Sequence, residues 1–405
     1  MLAALSFTNV LAIAAIAVAA PLLVQLAPRA RVPAVVLEIV LGIVVGPSGL
    51  DLVSIDIPVR VLSLAGLSFL LFLAGLEIDP ERLRHGFGRL LVTYGISFVL
   101  ALGFGELTDV VGETKSPLFV AIAIASTSLG LVVPVLRDAA ETDTDFGQLV
   151  LAACSIGEFG SVLLVSVFFS QNASSTESTV FLLVAFVILV CVLGLGLSRA
   201  NRSIRVSSTL LRLDETTAVL GVRVAILILL VFVALAGELG LETILGAFIA
   251  GSLLRVVDPE RKVVHDRFRM RVEAIGYGFL IPVFFVSSGL EFDGASLFDE
   301  PKHFMLVPLF LGGILVARGL PAALYRHVIG TRRAVVAGLF QATTLTFIVV
   351  AAHLGTELDV FDRPTAAALV LAGLLSVVIC PSAALTILSR VRAAGVEEGA
   401  DATPP

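Results

Sequence analysis

Few side chains in this sequence are equipped for chemistry, and one of them stands deep in an apolar run. Glu158 lies in Cys154-Ser155-Ile156-Gly157-Glu158-Phe159-Gly160-Ser161, mid-way along a hydrophobic stretch from 146 to 170. On a helix, Ser155 and Ser161 stand three residues to either side and share its face, while Gly157 and Gly160 let another backbone come close. An ionisable group at mid-bilayer costs on the order of 2.5–3.5 kcal/mol by conservative scales, so each one is a functional candidate. A low dielectric favours the neutral acid and a bound monovalent cation favours the carboxylate, so proton and cation compete for one group. If the site faces either side in turn and moves only when occupied, that competition lets a proton gradient drive a cation the other way. The rival assignment is a protonated Glu158 that merely packs helices together.

Two hydroxyl clusters and one arginine accompany it. Ala125-Ser126-Thr127-Ser128-Leu129-Gly130 precedes Pro134 in one run, and Gln341-Ala342-Thr343-Thr344-Leu345-Thr346 sits mid-way along another. Hydroxyls at mid-span can satisfy backbone groups freed by an unwound turn and can coordinate a desolvated cation; in continuous helices they would bond back to carbonyls instead. Arg318, in Gly312-Gly313-Ile314-Leu315-Val316-Ala317-Arg318-Gly319-Leu320-Pro321, stays charged even when poorly solvated. It calls for Glu158 or the carbonyl end of an interrupted helix as partner, unless it snorkels to the surface near Tyr325 and Arg326. The ion- and proton-binding candidates are thus Glu158, Ser155, Thr127, Ser128, Thr343 and Thr344, with Arg318 compensating charge. Gln341, Glu38 and Arg223 are secondary candidates, the last two more simply read as structural or lining residues.

These groups sit in a chain that is overwhelmingly apolar. Of 405 residues 58% are hydrophobic and 15% charged, and the mean hydropathy is +1.04. A charged share that far below the usual quarter marks an integral membrane protein. The apolar residues suffice for about ten to thirteen spans of roughly 20 residues. A net charge of −6 with no basic stretch speaks against nucleic acid as a partner. The cysteines, Cys154, Cys191 and Cys380, lie in apolar runs and the five histidines show no ligand spacing, so no resident metal, cofactor or enzymatic centre is indicated.

Thirteen runs emerge, near 5–27, 33–46, 59–77, 89–108, 117–136, 146–170, 179–198, 217–237, 241–254, 272–290, 303–325, 333–354 and 365–389. Basic residues in the intervening loops alternate in density. Twenty-one of the 27 fall on one side, against Arg60, Lys115, Lys302 and Arg363 on the other, with Arg223 and Arg318 inside runs. Lys and Arg in short loops stay cytoplasmic, which predicts an outside N-terminus and a cytoplasmic C-terminus in a multi-pass protein of the cell membrane.

The halves also echo each other. Leu37-Glu38-Ile39-Val40-Leu41-Gly42 resembles Leu241-Glu242-Thr243-Ile244-Leu245-Gly246, and the stretch ending Gly75-Leu76-Glu77-Ile78-Asp79 resembles the one ending Gly289-Leu290-Glu291-Phe292-Asp293. The copies lie seven runs apart, and an odd shift reverses orientation in the membrane. That predicts an inverted repeat, whose equivalent fifth and twelfth runs would be interrupted near the midplane. The expected fold is all-α and membrane-embedded, with about thirteen transmembrane helices and two interrupted ones.

Several stretches in order resemble a known family. They are Arg31-Val32-Pro33 leading to Gly42 and Gly46-Pro47-Ser48-Gly49-Leu50, Phe72-Leu73-Ala74-Gly75-Leu76-Glu77, Ala125-Ser126-Thr127-Ser128, Leu245-Gly246-Ala247-Phe248-Ile249-Ala250-Gly251, and Phe284-Phe285-Val286-Ser287-Ser288-Gly289. Over nearly the whole chain the sequence resembles monovalent cation/proton antiporters, especially the potassium-efflux and sodium/proton exchanger-like bacterial branch. The resemblance implies a sodium/proton antiporter-like fold, in which the interrupted fifth and twelfth helices cross, and a homodimer. Residues 1–392 would form the transmembrane domain, with core helices about 89–170 and 303–389 and dimerisation or scaffold helices about 5–77 and 217–290; 393–405 would be a short cytoplasmic tail. It implies exchange of Na+ or K+ for protons by alternating access, and the single acid with an arginine at 318 looks like the electroneutral members.

This chain departs from the family in two places. The acid is usually Asp preceded by Asp, Asn or Gln, whereas here it is Gly157-Glu158, which bears on cation affinity and choice. Potassium-efflux relatives commonly continue into a nucleotide-binding domain, whereas no glycine-rich phosphate loop follows the last run before Pro405. Nucleotide control within these residues is therefore not expected, which leaves room for a separately encoded regulatory subunit. A channel-like potassium-efflux pathway and a non-transporting sensor with the same fold are the alternatives.

Overall fold

In hydrocarbon every backbone N–H and C=O must find a partner within the protein, and a helix does this inside one segment. The computed structural model describes residues 7–26, 33–77, 87–110, 114–142, 144–169, 220–239, 243–257, 266–294, 297 and 301–400, and all regular elements among them are helical. In chain order these are α1 (Thr8–Leu26), α2 (Ala34–Val45), α3 (Ile57–Glu77), α4 (Phe87–Val110), α5 (Pro117–Ile124), α6 (Leu129–Asp138), α7 (Asp145–Phe168), α8 (Leu220–Glu238), α9 (Thr243–Val257), α10 (Asp266–Ile275), α11 (Ile281–Glu291), α12 (Pro301–Ile314), α13 (Thr331–Gln341), α14 (Thr346–Glu357) and α15 (Arg363–Ala400). Nine helical stretches among the described residues are long and apolar enough to cross a membrane, and the second, fifth and ninth runs give shorter apolar helices. The seventh run, 179–198, and the basic loop after it lie outside the described residues.

Prolines explain two irregularities that hydropathy does not reveal. A π turn, Gly276–Leu280, joins α10 to α11 just before Pro282, and another, Leu315–Gly319, follows α12 and leads into a 3₁₀ turn, Leu320–Tyr325, that contains Pro321. Proline has no N–H to return to the preceding turn, so the local winding changes to re-pair what is left. Arg318 rides on the second of these turns.

The chain divides into two compact units. One comprises Met1–Leu23, Leu37–Pro80 and Val162–Glu291; the other Val24–Val36, Glu81–Ser161 and Phe292–Pro405. In the first, helices meet backbone to backbone through glycines. A Cβ on Gly75 of α3 would strike the Phe248 carbonyl of α9, and one on Gly251 of α9 would strike the Phe72 carbonyl of α3. On α2 and α11, a Cβ on Gly42 would reach the Gly289 Cα at 3.0 Å, and one on Gly289 the Gly42 Cα at 2.9 Å. The motif copies therefore pack crosswise: the helix of the first Leu-Glu motif lies on that of the second Gly-Leu-Glu motif, and the helix of the first Gly-Leu-Glu motif lies on α9. Without a hydrophobic drive between helices in lipid, such close contact is what holds them together.

In the second unit, Leu129, Val132 and Leu136 of α6 pack with Phe146 and Val150 of α7, Ala322 and Tyr325 of the 3₁₀ turn, and Val336, Ala337 and Phe340 of α13. This cluster fixes the two interrupted segments against their neighbours.

Overpacking a tight helix contact costs about 1–3 kcal/mol. Gly75→Leu should accordingly lower the melting temperature in detergent, while Gly95→Leu, where a Cβ meets open space, should leave it unchanged.

Candidate functional site

Both hydroxyl clusters fall at breaks in helices. α5 ends at Ile124 and α6 begins at Leu129; α13 ends at Gln341 and α14 begins at Thr346. Each break leaves N–H groups at one helix start and carbonyls at another helix end without partners of their own. The two breaks meet and supply each other. Ser128 N donates to the Thr343 carbonyl at 2.9 Å, and the Ser128 hydroxyl accepts from Leu345 N at 2.8 Å and Thr346 N at 2.9 Å. Ser128 occupies the N-cap position of α6 but makes no side-chain cap there; its hydroxyl caps α14 instead.

The first turn of α6 is capped by the membrane carboxyl. Glu158 Oε2 accepts from Leu129 N at 3.0 Å, and Glu158 is 2% exposed. A helix start carries partial positive charge, so the anion is held where it is favoured. At the opposite kind of end, the carbonyl of Gln341 closes α13 and attracts positive charge. The Thr127 hydroxyl donates to it at 2.7 Å, and Arg318 Nε lies 3.4 Å from it. Arg318 also donates to Thr127 Oγ1 through Nε at 2.9 Å and Nη2 at 2.6 Å, and its Cζ lies 5.7 Å from the centre of the Tyr94 ring. At 1% exposed, Arg318 turns inward, and the carbonyl end of an interrupted helix is one of its partners.

The remaining candidates divide. Thr344 Oγ1 lies 2.8 Å from Ser126 Oγ across the two breaks. Thr343 bonds back to the Leu339 carbonyl at 3.1 Å and Ser155 to Leu151 at 2.8 Å, each within its own segment. Gln341 contributes its backbone carbonyl, while its side-chain amide returns to Ala337 at 3.4 Å. Glu38 and Arg223 belong to the first unit, Glu38 buried and Arg223 exposed. Ser376 of α15 was not singled out by the sequence. It accepts from Thr344 N at 3.1 Å and donates to the Thr344 carbonyl at 2.9 Å, pinning the second break from a third helix. Tyr94 of α4 was likewise missed; it faces Arg318, and its hydroxyl lies 3.4 Å from Ser161 Oγ.

The described residues thus form an all-α membrane protein with two helices broken where they meet, and a carboxyl and a guanidinium at their ends. The model of the transmembrane sodium/hydrogen exchanger family matches residues 13–390, and the chain belongs to that family. It is 29% identical over 369 residues to YjbQ of Bacillus subtilis, covering 87% of this chain and 58% of YjbQ, so it spans little more than half of that relative. It is 28% identical over 370 residues to the Na(+)/H(+) antiporter of Enterococcus hirae, covering 87% of this chain and 91% of that one. Its fold matches the structure of the sodium proton antiporter MjNhaP1 from Methanocaldococcus jannaschii, with a TM-score of 0.62 at 17% identity, over 94% of this chain and 98% of the other. The fold is thus sodium/proton antiporter-like.

A buried N–H stripped of its acceptor costs about 1–3 kcal/mol. Ser128→Ala strands two and should lower the melting temperature most, with Ser376→Ala next; Ser155→Ala, which loses only a bond to its own helix, should change it least.

Proposed function

We infer that this chain is a secondary transporter that exchanges a monovalent cation, Na+ or K+, for protons by alternating access, with both ions competing for Glu158. The observation that carries this reading is the placement of Glu158: buried, and fixed on the start of α6 where the two broken helices meet. The carboxyl there can be neutral or can balance one bound cation, and no covalent step is needed. Family membership and the functions in the names of the relatives support the same reading.

The exchange is electroneutral, because the site pairs a single acid with an arginine that stays charged in both states. The second unit, with the broken helices, serves as the transport core, and the first as scaffold and dimerisation surface of a homodimer. Thirteen helices in an inverted repeat, with the N-terminus outside and the C-terminus cytoplasmic, complete the reading. The crosswise packing of the motif copies and the one-sided distribution of basic residues support it.

The direct test is dequenching of a pH-sensitive dye in everted vesicles on addition of Na+, K+ or Li+. The native chain should respond to Na+ or K+, and Glu158→Gln should reduce the response to background. A native chain that passes cations without moving protons would point to the channel-like pathway, and an unchanged phenotype of Glu158→Gln to a sensor. In proteoliposomes, exchange should be insensitive to a clamped membrane potential; a transport current would contradict electroneutrality.

A further inference from the structure

The residue before the membrane carboxyl has no side chain, and what stands in that space is Arg318. A Cβ on Gly157 would run into Arg318 Nη2, would lie 3.0 Å from Arg318 Cζ, and would come within 3.1 Å of Thr127 Oγ1. The guanidinium cannot step aside without loss. Its Nε and its Nη2 each donate to Thr127 Oγ1, and the Tyr94 ring flanks it. The ring is itself wedged in place, since a Cβ on Gly160 would meet it at 2.7 Å. Thr127 is saturated as well. A threonine hydroxyl offers one hydrogen and two lone pairs; here the hydrogen goes to the Gln341 carbonyl and the lone pairs face two Arg318 donors.

We propose that Gly157 and Arg318 form one specificity-determining pair: the guanidinium fills the volume that a polar side chain at 157 would need, and so puts a built-in cation where a second polar ligand would stand. The proposal rests on Glu158 as the exchange carboxyl. It has two consequences for the transported ion. Residue 157 has no side-chain oxygen to give, and Thr127 has no lone pair left, so Thr127 serves Arg318 and the end of α13 rather than the cation. The fixed positive charge also opposes a second cation, so the site takes a single monovalent ion held chiefly by Glu158. Gly157 and Arg318 are positioning residues in this scheme, acting through the room and charge they leave around the carboxyl.

A double-mutant cycle on the full chain tests the pair, read out as dye dequenching in everted vesicles and as melting temperature in detergent. Gly157→Ala in the native background should displace the guanidinium, slow exchange and lower the melting temperature. Lysine has a compact ammonium and no planar fork. The same change made on top of Arg318→Lys should therefore slow exchange at least about tenfold less, as expected of residues in contact. Equal losses in both backgrounds would overturn the pairing. The half-saturating cation concentration separates specificity from packing. Gly157→Asn added to Arg318→Lys should lower the half-saturating concentration of Na+ or K+ below that of Arg318→Lys, because a carboxamide then has room beside Glu158; no decrease for either ion would overturn the claim of specificity. If the native chain shows no cation-driven proton movement, the exchange reading fails by itself, and the melting cycle still decides whether the two residues share one space.

Discussion

A helix broken inside hydrocarbon exposes polar backbone that water cannot reach, and the arrangement of the second unit follows from that constraint. Each break leaves backbone groups without partners in its own helix. Each supplies what the other lacks: Ser128 bridges to Thr343, Leu345 and Thr346, Ser126 meets Thr344, and Thr127 closes the carbonyl end at Gln341. α15 adds Ser376 as a clamp on the Thr344 peptide. The polar residues that make this membrane protein unusual are therefore first of all the means by which two unwound turns persist in an apolar setting.

The same geometry places the ionisable side chains. A helix start favours an anion and a helix end a cation, and the ionisable side chains are distributed accordingly, Glu158 at the start of α6 and Arg318 by the end of α13. These two serve different ends. Arginine keeps its charge throughout, so it is a permanent part of the scaffold. A carboxyl can be neutralised by a proton or balanced by a cation, so on the proposed reading Glu158 is the group through which ion occupancy reports to the helices. The paired interruptions thus hold both a fixed charge and a switchable one.

Much of this was legible in the sequence because an apolar background makes polar residues conspicuous. Glu158, Arg318 and the hydroxyl clusters at 126–128 and 343–344 stand out for that reason, and the breaks fall at those clusters. The Gly-Leu-Glu copies pointed to an inverted repeat, although not to which helices would touch. What stayed hidden lies in long-range geometry. Ser376 is one more hydroxyl in a long apolar helix, and nothing in its spacing marks Thr344 as its partner. Tyr94 reads as an ordinary aromatic until Arg318 is placed opposite it. Gly157 looked like the loss of a polar neighbour, since the side chain that takes its space comes from 161 positions further along the chain. The π turns needed the folded backbone, although Pro282 and Pro321 mark where they had to form.

The central claim is that proton and cation share one carboxyl. It is tested most directly by adding Na+ or K+ to the purified native chain in weakly buffered detergent solution and counting the protons released. Binding should release protons in proportion to the cation bound, and Glu158→Gln should remove both the binding and the release. Cation binding by the native chain without proton release, at any pH at which Glu158 is protonated beforehand, would contradict it.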